Sequence, residues 1–332
     1  MISVVVVNWN RRDLLRACLA SLARQEGVRF ETIVIDNGSS DGSPDLAERE
    51  FGARVIRNAQ NRGFCAANNQ GFAAARGEFI ALLNNDAEAE PGWLAALLRA
   101  CRRAPDIGMA ASKVLVWEDP RRIDKAGHLI FPDGQNRGRG SGALDEGQYD
   151  REEEVLWPDG CAALYRREMI ERIGGFDEDF FAYGDDAELG LRARIAGWRC
   201  LYTPEAVVRH HRGSTLGKDS ARRLVLIERN RVLLALKLFP WSLLWLNPLF
   251  FAARLAAGAA AAGRGAGDTA HFPGLAGKLA ILGALVRGDL EALRLAPRIL
   301  RKRAEIDRIR RLAPGDVRRL ILANRLRLGE VA

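Results

Sequence analysis

The sequence lacks the cysteine pattern of a disulfide-stabilised secreted protein. Its 332 residues contain only five cysteines, at positions 18, 65, 101, 161 and 200. No two of them form a C-x-x-C pair, and their number is odd, so a disulfide framework is not expected. The first residues also lack the basic segment and cleavage site of a signal peptide. These absences favour reduced thiols in a cytoplasmic protein.

Long uncharged hydrophobic runs are absent as well. The most apolar stretch, 238–253, contains two prolines and is shorter than the roughly 20 residues that a membrane-spanning helix requires. Arg254 interrupts it before 255–262 resumes. We therefore expect an amphipathic or re-entrant element at a membrane surface, with Trp241 and Trp245 suited to the interface. A soluble helical subdomain packed on the rest of the chain is the alternative.

The positive charge is concentrated in the C-terminal third. The net charge is +8, but 223–332 contain 20 Lys and Arg against 8 Asp and Glu, whereas 1–222 contain 30 against 34. A basic region rich in Leu and Ala favours an anionic phospholipid surface as partner, and 298–311 is its most basic segment. No helix-turn-helix, zinc-finger or RNA-binding signature is present, so we expect no nucleic-acid partner.

The first hundred residues alternate between apolar runs and amphipathic segments. Strands are predicted at 2–7, 30–35, 53–56 and 79–83, with helices between them. This pattern predicts a doubly wound, mostly parallel α/β sheet, in which ligands bind at the carboxyl ends of the strands. No G-x-G-x-x-G follows the first strand, which argues against an NAD-dependent oxidoreductase.

The pattern is looser after residue 105. Strands are predicted at 113–118, 154–166, 199–202 and 206–210, short helices at 167–173 and 187–196, and a glycine-rich loop at 132–147.

Acidic turns follow two of the predicted parallel strands. Asp36 can accept a hydrogen bond from the imide N–H of uracil or thymine, or from a ribose hydroxyl, although an Asx turn is an equal explanation. Asp86 can hold Mg²⁺ or Mn²⁺ on a diphosphate, or it can cap a turn. Both turns are expected at one rim of the sheet.

Further polar residues suggest binding roles. Gly63 allows close backbone approach at the start of a helix whose N-terminus can face phosphate. Asn68 and Asn69 are unfavourable inside that helix, so they predict tertiary hydrogen bonds. His128 and His271 are interpreted as surface residues.

Residues 174–189 (GGFDEDFFAYGDDAEL) resemble the G-G-F-D-E-x-F-F-x-Y-x-E-D-x-D-L block of family 2 glycosyltransferases, especially the rhamnosyltransferase-like branch. Residues 8–10, 36–39, 61–64 and 84–86 match four earlier motifs of that family in the same order. The resemblance covers roughly 1–215, and five ordered motifs make it specific.

The resemblance implies a GT-A fold, that is, a Rossmann-like, mostly parallel sheet flanked by helices. Residues 1–222 would form the catalytic domain, with a nucleotide-sugar-binding half at 1–105 and an acceptor-binding half at 106–222. Residues 223–332 would form a helical, basic, membrane-associating extension.

The resemblance also implies a reaction. An inverting glycosyltransferase would move a sugar from a nucleotide diphosphate to a hydroxyl of a glycan or polyprenyl-linked acceptor, in cell-surface polysaccharide synthesis on the inner face of the membrane. The branch suggests dTDP-rhamnose, and UDP- or GDP-sugars are the other options. A catalytically inactive scaffold that binds nucleotide sugars or lipids is the alternative function.

The family motifs carry residue roles onto this sequence. Asp186 would be the general base, with Asp185 beside it in place of the usual Glu. Asp86 and His210 would hold Mg²⁺ or Mn²⁺, since the family often has a His after this strand. His210 could instead contact the diphosphate, and His211 is the alternative to His210. The donor site would comprise Asn8, Asn10, Asp36, Asn37, Asn61, Gly63, Asn68, Asn85 and Asp86. The acceptor site would comprise Asp159, Gly160 and Glu188.

Overall fold

The computed structural model describes residues 1–211, 220–263 and 274–330. It contains two compact units. The first is Met1–His128 with Gly138–Arg212, and the second is Leu129–Arg137 with Gly213–Ala332. The segment Leu129–Arg137 thus belongs to the second unit. The sequence analysis, which expected a single division after residue 222, did not predict this.

The first unit is built on a large sheet. Its strands are β1 (Ile2–Asn8), β2 (Phe30–Asp36), β3 (Arg54–Arg57), β4 (Phe79–Leu83), β5 (Ala87–Ala89), β6 (Ile107–Val116), β7 (Ile123–Lys125), β10 (Glu153–Val155), β11 (Ala162–Arg166) and β12 (Arg199–His210). Its helices are α1 (Arg12–Ala23), α2 (Ser43–Phe51), α3 (Gly63–Ala74), α4 (Trp93–Arg102), α5 (Arg167–Ile173) and α6 (Asp185–Ile195). Strands β8 (His128–Ile130) and β9 (Asn136–Gly138) form a separate hairpin at the boundary of the two units.

The strand order is β10-β12-β6-β11-β4-β1-β2-β3, with β5 paired to β12 and β7 to β6. β1 lies parallel to β2 and β4, and β2 lies parallel to β3, so the predicted parallel half is confirmed. β11 runs antiparallel between β4 and β6, whereas β6 and β12 are parallel. The sheet is therefore mixed beyond β4.

Burial of both faces explains the unbroken valine run of β1. Val4 and Val6 belong to one buried cluster with Leu15 of α1. Val5 faces the opposite side, where a side chain on Gly71 of α3 would come within 2.3 Å of its methyl group. Successive strand residues point to opposite faces, so a strand covered on both sides has no polar alternation.

Four predicted strands after residue 105 differ from the structure. The strand expected at 113–118 is β6, which begins earlier at Ile107. The strand expected at 154–166 is two strands, β10 and β11, because the Pro-Asp-Gly turn at 158–160 breaks it. The two strands expected at 199–210 are one strand, β12, with an irregularity between Thr203 and Val207.

The second unit is helical, as predicted for the C-terminal region. Its helices are α7 (Ala221–Leu238), α8 (Trp241–Leu244), α9 (Asn247–Gly263), α10 (Gly274–Ile309) and α11 (Pro314–Ala323). No helix among the described residues is long and apolar enough to cross a membrane.

A buried charge cluster joins Leu129–Arg137 to these helices. Arg254 donates to Asp133 at 2.5 Å and to Glu228 at 3.0 Å, and Arg231 donates to Glu228 at 2.6 Å. Both carboxylates are almost fully buried and both have cationic partners. This pairing explains why a segment from the middle of the catalytic sequence belongs to the second unit.

Candidate active site

Asn8, at the end of β1, joins the two acidic turns. Its Nδ2 donates to Ser43 Oγ at 2.7 Å and lies 3.4 Å from Asp36 Oδ1. Its Oδ1 accepts a hydrogen bond from Asn85 Nδ2 at 2.8 Å. The carboxyl ends of β1, β2 and β4 therefore meet at one rim, where the sequence predicted them.

Other predicted donor residues fix the loops of this rim. Asn10 has a φ of 49° and accepts from the backbone N–H of Ser40 at 2.8 Å. Asn37 Nδ2 lies 3.3 Å from both Asn61 Oδ1 and the carbonyl of Gly63. These contacts shape the start of α3, and direct nucleotide contacts of the same residues stay predictions.

Asp86 and His210 lie together beside that rim. Asp86 Oδ1 is 3.4 Å from His210 Nε2, and His210 Nδ1 is 2.8 Å from Asp124 Oδ2. Burial opposes protonation of His210, but its hydrogen bonds to Asp124 and Asp86 outweigh burial and raise its pKa to about 9. His211, the alternative, instead stacks on Trp117 with ring centroids 4.2 Å apart.

This donor set fits a divalent cation. A carboxylate faces an imidazole nitrogen, and a second carboxylate orients the other ring nitrogen, as is usual around metal-bound histidine. A bound cation would replace the proton that His210 otherwise holds. Asp86 and His210 are thus the candidate ligands, and Asp124 orients the His210 ring through its other nitrogen.

Asp186 stands at the start of α6 in a second cluster. Its Oδ2 is 3.5 Å from His128 Nε2, which is 2.9 Å from Asp159 Oδ2. Lys125 forms an ion pair with the same oxygen of Asp159. The interpretation of His128 as a surface residue is wrong, because its side chain is 5% exposed and stacks on Trp157. His271 lies outside the described residues.

The surroundings shift the pKa values of the carboxyl groups of this cluster in opposite directions. Burial is the largest cause that raises the pKa of Asp186, and the charge of Asp159 adds to it against the opposing effect of His128. Burial also acts on Asp159, but Lys125 and His128 outweigh it and lower its pKa well below the usual range. Burial, followed by the charge of Asp186, raises the pKa of Asp185 well above its usual range. A buried carboxyl group with a raised pKa suits a general base, which is the role predicted for Asp186.

Ligand atoms of His128, Asp159 and Asp186 all lie within 4.8 Å of one another, which is close enough to hold a metal ion. However, the ammonium group of Lys125 already contacts Asp159 and would repel a divalent cation. This cluster is therefore the less suitable of the two for a cation, and the roles predicted for Asp86, His210 and Asp186 stay predictions.

The loop 159–161 connects the two clusters. Asn84, next to the cation pair, donates its N–H to the carbonyl of Cys161 at 2.8 Å. Cys161 in turn donates its N–H to Asp159 Oδ1 at 2.9 Å. A side chain on Gly160 would lie 3.5 Å from the Phe64 ring and 3.7 Å from Asp186 Cβ. Asp159 and Gly160, predicted to contact the acceptor, are therefore adjacent to the candidate base.

The G-G-F-D block packs onto the start of α3. Phe181, with a φ of 64°, accepts hydrogen bonds through its carbonyl from Phe64 N and Cys65 N, at 3.0 and 3.3 Å. Gly63 cannot carry a side chain here, because its Cβ would lie 2.5 Å from the Phe181 ring. The block thus satisfies N–H groups at a helix end that would otherwise lack partners.

The two asparagines of α3 have different roles. Asn69 exchanges two hydrogen bonds with the backbone of Phe176, at 2.9 and 2.8 Å, which is the tertiary role predicted for it. Asn68 is 2% exposed and donates to the carbonyl of Phe64 within its own helix. Its expected contact with the donor is not supported, because its side chain is buried in α3.

Glu188 does not reach an acceptor site. It is fully buried, and both of its carboxylate oxygens accept hydrogen bonds from Arg192 at 2.8 Å. Arg192 also donates to the backbone carbonyls of Ile173, Gly174 and Gly175. Glu188 therefore holds the double-glycine turn in place, which corrects its prediction as an acceptor contact.

The segment 123–128 contributes three site residues that the sequence analysis did not identify. Asp124 orients His210, Lys125 pairs with Asp159, and His128 lies between Asp159 and Asp186. The available signal was the presence of three titratable residues within six positions, directly before a glycine-rich loop.

The chain is similar in sequence to known proteins. Residues 3–174 match the family described as glycosyl transferase family 2. The N-acetylglucosaminyl-diphospho-decaprenol L-rhamnosyltransferase of Mycobacterium tuberculosis is 28% identical over 246 residues, which cover 68% of this chain and 80% of the relative.

Two solved glycosyltransferases show the same fold. GalNAc-T7 with UDP, GalNAc and Mn²⁺ gives a TM-score of 0.62 at 17% identity, covering 76% of this chain and 50% of the other. The mannosyltransferase PcManGT of Pyrobaculum calidifontis, with GDP-Man and Mn²⁺, gives 0.54 at 20% identity, covering 88% and 86%. Fold and motifs thus define a GT-A glycosyltransferase. The chain belongs to glycosyl transferase family 2, within its rhamnosyltransferase-like branch.

Proposed function

We propose that the protein transfers a sugar, with inversion, from a nucleoside diphosphate to an acceptor hydroxyl. The observation that carries this proposal is the pairing of two distinct clusters across the loop 159–161. Asp86 and His210 form the donor-side cation site, and Asp186 forms the acceptor-side base. A single displacement requires these two functions on opposite sides of the anomeric carbon.

The residues act as follows. Asp186 accepts the proton of the acceptor hydroxyl while its oxygen bonds to the anomeric carbon and the bond from that carbon to the diphosphate breaks. A divalent cation on Asp86 and His210 would neutralise the charge that develops on the departing diphosphate. Lys125 keeps Asp159 ionised, and Asp159 orients His128 beside the base.

The similarity to the mycobacterial L-rhamnosyltransferase supports the choice of substrates. We propose a dTDP-rhamnose donor, with UDP- and GDP-sugars as the other options, and a polyprenyl-linked glycan acceptor. The Mn²⁺ found with both structural neighbours supports Mn²⁺ or Mg²⁺ as cofactor. The place of action would be the inner face of the cell membrane, in cell-surface polysaccharide synthesis.

Thermal unfolding tests the donor site. With Mn²⁺ present, one of dTDP, UDP and GDP is expected to raise Tm, because a ligand that binds only the folded state stabilises it. Asp86→Asn should lose the part of this shift that depends on Mn²⁺. Glu88→Gln, two residues away and outside the cation pair, is the matched control and should keep it. No shift with any nucleotide on folded protein would contradict the proposal.

A further inference from the structure

Six large apolar residues of α10 point outward. Leu279, Val286, Leu293 and Leu300 recur every seven residues and are 58, 52, 64 and 42% exposed. Leu282 and Leu290, at 57 and 52%, extend the same surface. We call these six residues the outer face of α10. At 1.5 Å per residue the face extends for about 30 Å along the helix.

Between Leu279 and Leu293 the inward side of α10 carries small residues, whereas Ile299 and Ile306 are buried nearer its end. Ala284 and Ala292 are buried. A side chain on Gly288 would lie 2.9 Å from the carbonyl of Val225 and from Glu228 Cβ, both on α7. Over 279–293 the pattern is the reverse of an ordinary amphipathic helix, which buries its large apolar residues and exposes its polar ones. A contiguous exposed apolar surface of this kind marks an interaction site.

A row of arginines identifies the partner. Arg287, Arg294 and Arg301 also recur every seven residues, each directly after a residue of the outer face, and all three are exposed. Two acidic residues lie between the first two arginines: Glu291 is bound by Arg287 at 3.0 Å, and Asp289 lies 3.6 Å from Arg231 of α7. An apolar stripe beside a basic row matches the acyl boundary and anionic headgroups of a phospholipid bilayer.

We propose that the outer face of α10 is the surface by which the second unit binds an anionic membrane. The leucines insert at the acyl boundary, and the three arginines contact lipid phosphate. This inference deepens the proposed function, because it rests on a lipid-linked acceptor. The sequence expectation placed the apolar membrane element at 238–262 and the basic segment facing anionic lipid at 298–311, whereas the outer face lies at 279–300.

Vesicle flotation of the full chain tests the proposal. The protein should float with vesicles of equal parts phosphatidylcholine and phosphatidylglycerol, and much less with phosphatidylcholine alone. Replacing Arg287, Arg294 and Arg301 by Gln should weaken binding roughly a hundredfold, since each basic residue contributes about fivefold at an anionic surface. The combined change Val286→Ser, Leu290→Ser and Leu293→Ser should abolish it. Leu144→Ser, an exposed leucine of the first unit, is the matched control and should bind like wild type.

The outcomes separate cleanly. Serine variants that keep their Tm and nucleotide-induced stabilisation but no longer float would support the proposal without testing the donor site. Unchanged flotation of the serine variant would overturn it. The proposal would also be overturned if light scattering showed a wild-type dimer and a monomeric serine variant while both bound lipid equally. The outer face would then bind a second copy of the chain.

Discussion

Asp186→Asn is expected to lower kcat by about a thousandfold, which lies within the range usual for loss of a general base. The amide has the size of the carboxyl group but cannot accept the proton of the acceptor hydroxyl. Nucleotide-induced thermal stabilisation should stay at the wild-type level, because the cation pair of Asp86 and His210 is intact. Single-turnover transfer and thermal unfolding on the same preparation would measure the two effects.

Asp185→Asn is the matched control for this change. Asp185 is also buried, and its raised pKa favours the uncharged form that asparagine imitates. It should therefore keep most activity. Burial raises the pKa of Asp186, so the wild-type kcat/KM should fall as the pH drops through a value above that of an ordinary aspartate. Loss of activity in Asp185→Asn but not in Asp186→Asn would contradict this account and would make Asp185 the general base.

Arg192→Met should lower the free energy of unfolding by about 3–5 kcal/mol, the usual cost of breaking a buried ion pair from one side. Glu188 is fully buried, so its carboxylate would stay buried after its two hydrogen bonds to Arg192 are lost. The backbone carbonyls of the double-glycine turn lose their donor at the same time. Urea unfolding would measure the change.

The double variant Arg192→Met with Glu188→Leu is the control for this second prediction. Replacing a whole buried ion pair by apolar residues of similar volume is often neutral. The double variant should therefore recover part of the stability, short of the amount due to the lost carbonyl contacts. A loss of less than about 1 kcal/mol in the single variant would place the pair among ordinary surface ion pairs.

Local patterns predicted the first half of the fold well. The valine run of β1 and the apolar runs of β2 and β4 indicate strands covered on both faces. Their acidic turns were expected at one rim, where Asn8 now joins Asp36 to Asn85. These features depend on neighbours in sequence and on the single rule that parallel strands end at the same edge.

The second half depends on contacts that no local pattern shows. His128 has no repeat or motif around it, and its role appears only when β8 begins beside Asp159 and Asp186. Glu188 matched a family position in spacing, but Arg192, one helical turn later, binds both of its oxygens. Burial and pairing of this kind are decided by tertiary structure.

The anomeric configuration of the transferred sugar tests the central claim most directly. The protein would be incubated with Mn²⁺, dTDP-, UDP- and GDP-sugars and polyprenyl-linked glycan, and the product would be analysed by NMR. The transferase assignment predicts consumption of one nucleotide sugar by wild type but not by Asp186→Asn, with the configuration of the anomeric carbon inverted. A retained configuration, or binding of a nucleotide sugar without transfer to any acceptor, would contradict it.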